Sequence, residues 1–263
     1  MIDCHTHLTD DSFAGDLPEV LQRARAVGVE QMALVGQDLE ENQKVLGMSA
    51  RHEGLLLPFL GLHPDRFADR GEVVPAAEVQ AVRELIRREA AHITGIGEVG
   101  LDYWVCQDEQ RREQQRGAFG ELVRLAQELD LPLNVHSRSA GRHTIDMLLE
   151  MGARRVLMHA FDGKASYALK GAQAGFLFSI PPSIVRSPQK QKLVRALPLE
   201  SLALETDSPV LGPEQGLRNE PANLALCVAE IARIKGLDEA LVRSATLANT
   251  RRLFFLDVVS SSG

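Results

Sequence analysis

The strongest constraint on the fold is a regular alternation between short apolar runs and longer amphipathic stretches. The runs have strand length, and several are continuously apolar, as expected for strands that are covered on both faces. The stretches between them have helical length. In residues 111–129, for example, Phe119 and Leu122 lie on one face of the predicted helix, and Arg112 and Glu121 lie elsewhere. Eight such strand–helix units in 263 residues predict an α/β fold, a (β/α)8 TIM barrel whose active site lies at the carboxyl ends of the strands.

The predicted elements account for most of the chain. The predicted strands lie at 2–7, 31–35, 57–62, 93–97, 131–135, 156–158, 175–179 and 202–206. The predicted helices lie at 16–26, 39–52, 76–89, 111–129, 140–151, 164–174, 188–196 and 220–235. Because no linker or further repeat interrupts this pattern, we expect one domain over residues 1–258 and a loose polar tail at 259–263.

The first apolar run ends in two histidines, two positions apart. Because successive side chains of a strand alternate faces, His5 and His7 project to the same side and can share one metal ion. Two surface histidines on an exposed strand would give the same pattern. The pair alone therefore does not distinguish a metal hydrolase from a surface strand.

Polar side chains occupy the same position, just past an apolar run, along the whole chain. Five of the eight histidines lie there, and only His52, His92 and His143 do not. The candidate ligands are His5, His7, His63, Glu98, Asp102, His136, His159 and Asp207. Because the carboxyl ends of barrel strands form one mouth, we expect these side chains to converge on a single metal site.

A purely structural role is a reasonable alternative for each of these residues taken singly. His136 and His159 can be buried histidines that bond to the backbone, and Glu98 and Asp207 can cap the helices that follow them. A structural role for all of the residues at once is much harder to accept. Six candidate ligands follow predicted strands, which favours a metal hydrolase: His5, His7, Glu98, His136, His159 and Asp207.

Composition is that of an ordinary globular domain, with 44% hydrophobic and 25% charged residues. No run approaches the length of a membrane span, and the first candidate ligands follow Met1 too closely for a secretory leader. We therefore expect a cytoplasmic protein, with the nucleus as a second compartment. The three cysteines Cys4, Cys106 and Cys227 lack metal-binding spacing and are expected to be reduced and structural.

The motifs that carry the candidate ligands resemble those of the TatD family of metal-dependent deoxyribonucleases. They are His5-Thr6-His7-Leu8, Gly61-Leu62-His63-Pro64, Gly97-Glu98-Val99-Gly100-Leu101-Asp102-Tyr103, His136-Ser137-Arg138, His159-Ala160-Phe161-Asp162-Gly163, Glu205-Thr206-Asp207-Ser208-Pro209 and Asn219-Glu220-Pro221-Ala222-Asn223. The similarity spans nearly the whole chain in order, and the sequence is most similar to the eukaryotic, third-type TatD-domain proteins. It implies membership of the metal-dependent hydrolase superfamily.

The resemblance also implies roles for the site residues. One divalent metal ion would bind His5, His7 and Asp207, a second would bind His136 and His159, and Glu98 would bridge the two. Asp207 is the candidate general base, with Glu98 as the other catalytic carboxylate. His63 and Arg138 would bind substrate phosphate, although Arg138 can equally form an ion pair with Glu205 or Asp102.

Metal and substrate are predicted from donor chemistry and charge. Four imidazoles and two carboxylates suit Zn²⁺, and also Mn²⁺, better than Mg²⁺, so Zn²⁺ is expected as the bound ion. The resemblance implies that Mg²⁺ can also serve as a working ion, as can Mn²⁺. A net charge of −7 argues against a tight grip on duplex DNA and favours an exonuclease that acts on single strands or DNA ends. The resemblance implies 3′-5′ polarity, and we expect a monomer. Basic clusters at Arg87-Arg88, Arg111-Arg112 and 190–192 are expected to be solvated helix faces.

Two alternative functions remain open. An amidohydrolase-type enzyme would use the same barrel positions on a small cyclic amide, lactone or other ester, but many such enzymes bridge their metals with a modified lysine, where this chain has Glu98. A protein that holds metal without turnover would also retain these ligands.

Tyr103 and Trp104, after the Glu98 strand, can either stack on an unpaired base or form a hydrophobic lid.

Overall fold

The fold is an eight-stranded parallel barrel surrounded by helices, seen in a computed structural model that describes residues 1–70 and 74–255. The strands are hydrogen-bonded in chain order. They are β1 (Ile2–Thr6), β2 (Gln31–Val35), β3 (Leu56–Leu60), β4 (Gly95–Gly100), β5 (Leu133–His136), β6 (Val156–Met158), β7 (Leu177–Ile180) and β8 (Leu202–Leu204). This arrangement confirms the predicted TIM barrel.

The helices lie between successive strands and beyond the last one. They are α1 (Leu17–Ala26), α2 (Leu39–Arg51), α3 (Ala76–Glu89), α4 (Glu109–Leu129), α5 (Gly141–Glu150), α6 (Ala165–Gln173), α7 (Pro188–Ala196), α8 (Leu224–Lys235) and α9 (Glu239–Phe254). The predicted helix at 220–235 is shorter, because Pro221–Asn223 form a turn of 3-10 helix before α8 begins.

Helix α9 was not predicted from the sequence. Its buried side chains include Thr246, Asn249 and Thr250 as well as apolar residues, so no apolar stripe marks it. These polar groups are satisfied locally or by the barrel: Thr246 Oγ1 donates to the carbonyl of Val242, and Asn249 Nδ2 donates to that of Leu202. Buried polar groups that find partners can occupy a core face, and this removes the periodicity on which the prediction depends.

The apolar core has two parts. The larger cluster joins the outward side chains of the strands to the surrounding helices. A smaller cluster joins alternate strand residues such as Ala33, Val35 and Phe59 to the end of α9, where the rings of Phe254 and Phe59 lie 5.0 Å apart. Because side chains alternate along a strand, the second cluster is the barrel interior, with the end of α9 packed against it.

The barrel closes through the segment that follows β8. The N–H of Asp207 donates to the carbonyl of His5, and the N–H of His7 donates to the carbonyl of Ser208. This pairing places the end of β1 directly beside Asp207.

Two further predictions concern the chain as a whole. All three cysteines are buried and unpaired, as expected. Among residues 1–70 and 74–255, no helix combines the length and apolar character needed to cross a bilayer. The predicted tail at 259–263 lies outside the described residues, and the single domain at 1–258 stays a prediction.

Candidate metal centre

The two histidines of β1 lie side by side at the mouth of the barrel. Their Nε2 atoms are 3.1 Å apart. The Nδ1 atom of His5 lies 2.8 Å from Asn134 Oδ1, and the amide of Asn134 is oriented by its donation to the carbonyl of Cys4. Because the amide oxygen can only accept, His5 carries a proton on Nδ1, and the neutral ring offers the Nε2 lone pair toward His7.

Glu98 lies at the centre of the cluster and is almost fully buried. One oxygen, Oε2, lies 3.4 Å from the Nε2 atoms of both His5 and His7. The other, Oε1, lies 2.7 Å from Nδ1 of His136 and 3.5 Å from Nε2 of His159. The single carboxylate therefore faces two separate groups of imidazoles.

Two glycines permit the close approach of backbone around Glu98. A Cβ atom at Gly61, at the end of β3, would collide with the carbonyl oxygen of Glu98. Gly100 has φ of +145°, and a Cβ there would collide with the carbonyl of His136. Both positions admit only glycine, because the adjacent chains approach too closely for any side chain.

Asp207 completes the group formed with β1. Its Oδ1 atom lies 3.4 Å from His7 Nε2 and 3.7 Å from His5 Nε2. The residue has φ of +55°, in the left-handed region that non-glycine residues seldom adopt. Such conformations concentrate at functional sites, where the surrounding structure holds them in place.

The second group of imidazoles is held by carboxylates outside the cluster. Nε2 of His136 lies 3.1 Å from Asp102 Oδ2, and Nδ1 of His159 lies 2.9 Å from Glu205 Oε2. Glu205 is itself fixed by Ser179, whose hydroxyl donates to it over 2.6 Å. Carboxylates in these positions orient an imidazole and increase its basicity. Asp102, one of the candidate ligands, thus supports His136 rather than joining the cluster around Glu98.

His63 lies close to Glu98 and to His136 of the second imidazole group, closer than contact with substrate alone would require. Its Nε2 is 3.3 Å from Glu98 Oε1 and 3.4 Å from His136 Nδ1. Its Nδ1 lies 2.8 Å from the carboxylate oxygen Oδ1 of Asp65. Burial would lower the pKa of His63, but Glu98 and Asp65 outweigh it and raise the pKa well above its usual value. The ring is therefore protonated at neutral pH, and its Nε2–H is a hydrogen-bond donor toward the cavity.

Arg138 is exposed and lines the cavity above the cluster. It forms no ion pair with Glu205 or Asp102, so the structure gives no support to that alternative among the described residues. Its guanidinium carbon instead lies 5.2 Å from the centroid of the Trp104 ring.

Lys190 was placed by sequence on a solvated helix face, and that prediction is wrong. Lys190 is buried in the first turn of α7 and lines the cavity, and its ammonium donates to the carbonyls of Ala160 and Phe161. Burial lowers the pKa of this ammonium. The usable signal was its position, because first-turn residues of barrel helices lie close to the carboxyl ends of the strands.

The two aromatic residues after β4 differ in exposure. Tyr103 is buried, its ring lies under the guanidinium of Arg112, and its hydroxyl accepts a hydrogen bond from Arg116. Trp104 is 61% exposed. Tyr103 is therefore a packing residue, and only Trp104 is available for stacking.

The cavity at the mouth has a volume of about 710 Å³. Its walls include His7, His63, Glu98, His136, Arg138, His159, Lys190 and Asp207. His5 lies beneath it, with its ring stacked on that of His159 at a centroid distance of 3.6 Å. The structure therefore gathers all the sequence-predicted site residues into one cavity and the layer directly below it.

The imidazoles lower the pKa values of the two carboxylates in the cluster. Burial would raise the pKa of Glu98, but the neighbouring rings of His63 and His5 outweigh it and hold the pKa well below its usual value. The pKa of Asp207 is lowered against burial by His159 and His7. Both carboxylates are therefore ionised at neutral pH, which is the form that binds cations.

The arrangement has the donor chemistry of a site for divalent cations. Three overlapping sets of residues each bring their ligand atoms within 4.8 Å of one another. They are His5, His7 and Asp207; His5, Glu98 and His159; and His63, Glu98 and His136. Glu98 Oε2 is buried and accepts no hydrogen bond from any residue in the described ranges. A buried carboxylate oxygen facing imidazole nitrogens is the feature expected of a metal ligand.

A parallel eight-stranded barrel with such a cluster at the carboxyl ends of its strands defines a metal-dependent hydrolase of the TIM-barrel type. Residues 2–255 match the model of the family described as TatD related DNase. The chain belongs to this family, which confirms the resemblance of its motifs.

Known relatives agree along nearly the whole chain. The chain is 43% identical over 258 residues to deoxyribonuclease TATDN3 of Homo sapiens, covering 97% of this chain and 94% of that protein. It is 33% identical over 270 residues to the 3′-5′ ssDNA/RNA exonuclease TatD of Klebsiella pneumoniae, covering 98% and 99%. The crystal structure of YJJV, a TatD homologue from Escherichia coli, superposes with a TM-score of 0.87 at 29% identity, covering 97% and 98%.

Proposed function

We propose that this protein is a two-metal deoxyribonuclease that removes nucleotides from the 3′ ends of single-stranded DNA. The observation that carries the proposal is the position of Glu98, whose two oxygens face two separate groups of imidazoles. One cation would bind His5, His7 and Asp207, the other His136 and His159, with Glu98 shared. Zn²⁺ fits this donor set, and Mg²⁺ or Mn²⁺ can serve as working ions.

The residues of the cavity have distinct roles in this proposal. When bound, a pair of divalent cations supplies Lewis acidity and lowers the pKa of water for displacement at phosphorus. Asp207 is ionised and can take the proton of the attacking water. The protonated ring of His63 and the side chain of Arg138 both line the cavity, where they can donate to non-bridging oxygens of a phosphate.

Charge and cavity shape support end-directed cleavage. The net charge of −7 offers little attraction for a long duplex, so contact with nucleic acid should be local. A cavity of about 710 Å³ holds a terminal nucleotide more easily than the middle of a stiff duplex. The exonuclease activity and the 3′ polarity are supported by the name of the Klebsiella relative.

The competing hypothesis, a hydrolase of lactones or cyclic amides, lacks the modified lysine that bridges the metals in many such enzymes. Lys190 does line the cavity, but its ammonium is occupied by the carbonyls of Ala160 and Phe161 rather than lying between the imidazole groups. Glu98 lies between the two imidazole groups instead.

One experiment separates these functions. Metal-loaded protein is incubated with a 5′-labelled single strand, the same strand with a 3′-phosphate, a closed single-stranded circle and a panel of lactones. We expect a ladder from the linear strand, slower shortening of the blocked strand, and no turnover of the circle or the lactones. Cleavage of the circle at the rate of the linear strand would indicate an endonuclease, and lactone hydrolysis without DNA cleavage would overturn the proposal.

The matched control is His92→Ala. His92 is an exposed histidine outside the cluster, so its loss removes an imidazole without touching the cavity. This variant should keep the activity of the parent, whereas Glu98→Gln should lose it.

A further inference from the structure

Trp104 is the one tryptophan of the chain, and 61% of its surface is exposed. It lies on the segment between β4 and α4, six residues after Glu98 in the sequence. Exposure of the large apolar surface of an indole to water is unfavourable, and an indole with a purely structural role would be expected in the interior. The neighbouring Tyr103 shows the contrast, since it is buried and hydrogen-bonded.

The backbone that carries Trp104 is fixed to the candidate metal centre. Asp102 accepts hydrogen bonds from the N–H groups of Trp104 and Val105 through Oδ1, at 2.9 and 3.2 Å. Its other oxygen lies 3.1 Å from Nε2 of His136. One carboxylate thus links the position of the indole to the position of an imidazole of the site.

A second link runs through Arg138. The N–H of Tyr103 donates to the carbonyl of Arg138 over 3.0 Å, so the segments that carry the indole and the guanidinium are joined. The guanidinium carbon lies 5.2 Å from the centroid of the Trp104 ring, within the range of a cation–π contact. Arg138 also lines the cavity, whereas Trp104 lies beyond its rim. The arginine therefore spans from the cavity to the indole.

This arrangement matches the chemistry of a nucleotide, in which a phosphate and an aromatic base are joined by a short sugar linkage. We propose that Trp104 and Arg138 form a subsite for an unpaired nucleobase next to the phosphate bound at the metal centre. The indole stacks on the base, and the guanidinium contacts the phosphate that precedes it. The inference rests on the proposed function and names the feature of the substrate that this enzyme recognises outside the reacting group.

The subsite makes a direct optical prediction. Because Trp104 is the one tryptophan, the intrinsic tryptophan fluorescence of the protein reports on this ring alone. Titration of the Asp207→Asn variant with a short single strand of thymidines should quench the emission in a saturable manner. A strand whose 3′-terminal nucleotides are abasic should bind with little quenching. Equal quenching by both strands, or none by either, would overturn the subsite.

Activity gives an independent test that does not depend on fluorescence. Trp104→Ala should lower kcat/KM on the single strand by about tenfold to a hundredfold, the range that one base–aromatic stack supplies, and Trp104→Phe should recover most of it. On the abasic strand, Trp104→Ala should match the parent. An equal loss on both strands would show that Trp104 only supports the loop, and would overturn the proposal.

Phe255→Ala is the matched control. Phe255 is also an exposed aromatic ring covered by an arginine, with the guanidinium carbon of Arg155 3.3 Å from its centroid, but neither residue lines the catalytic cavity. Its loss should leave the preference for a base unchanged. If the protein cleaves DNA but Trp104→Ala leaves that preference intact, the proposed function stands and the subsite is wrong. If no DNA is cleaved, the fluorescence titration still decides whether a base binds.

Discussion

The backbone N–H of Asp207 donates to the carbonyl oxygen of His5 across 2.9 Å, although the first and last strands of the barrel separate these residues widely in sequence. The same pairing brings the carboxylate of Asp207 within 3.4 Å of Nε2 of His7. The same contacts therefore close the barrel and bring the residues of the candidate metal centre together. No single segment of this chain can form the site alone.

Two equivalents of divalent metal are expected at saturation, and Glu98→Gln should retain no more than one. The amide keeps the shape of the side chain but loses the charge that faces both imidazole groups. Elemental analysis of dialysed protein measures this, with His92→Ala as the control. At most one equivalent in the parent protein would show that the site holds a single ion.

Asp207→Asn should reduce turnover at least about a hundredfold while the fold is retained, because the general base is lost. The measurement is the single-turnover rate on a labelled strand, with circular dichroism to verify folding. Metal content must be determined in the same samples, since Asp207 is also a proposed ligand. Activity within a few-fold of the parent at full metal content would place the base elsewhere, with Glu98 the next candidate.

His63→Ala should weaken the use of substrate more than the binding of metal. Glu98 and Asp65 raise the pKa of His63 well above its usual value against the effect of burial, so Nε2 carries a proton, which suits donation to a phosphate and not ligation of a cation. We expect about a tenfold loss of kcat/KM with both metal equivalents kept, and partial recovery in His63→Gln. Loss of one equivalent in His63→Ala would instead identify His63 as a ligand.

Metal affinity should rise with pH between 6 and 8. Burial alone would lower the pKa of His7, but hydrogen bonds to Asp207 and Glu98 raise it to about 10. Below that pKa a proton occupies the ring nitrogen that a cation needs, so binding must release it, and affinity should increase about tenfold per pH unit for each proton displaced. Chelator competition at several pH values measures the slope. Affinity that does not change over this range would contradict the assignment of His7.

Local sequence patterns were enough to predict the barrel and the residues of its mouth. Apolar runs and amphipathic stretches report secondary structure directly, and His5, His136 and His159 stand where strands end, so their convergence follows from the topology. The family motifs added the expected roles, because they preserve both residue type and spacing.

The tertiary structure alone decided how each of these side chains is oriented and which neighbours it has. The proton position of His5 depends on Asn134, the charge of His63 on Glu98 and Asp65, and the orientation of His159 on Glu205. Lys190 lies in the cavity wall because its ammonium bonds to the carbonyls of Ala160 and Phe161, and Asn249 of α9 can be buried because its amide bonds to the carbonyl of Leu202. Hydrogen bonds of this kind join elements that only the closed barrel brings together, and their distance and angle requirements leave no trace in the periodicity of the sequence.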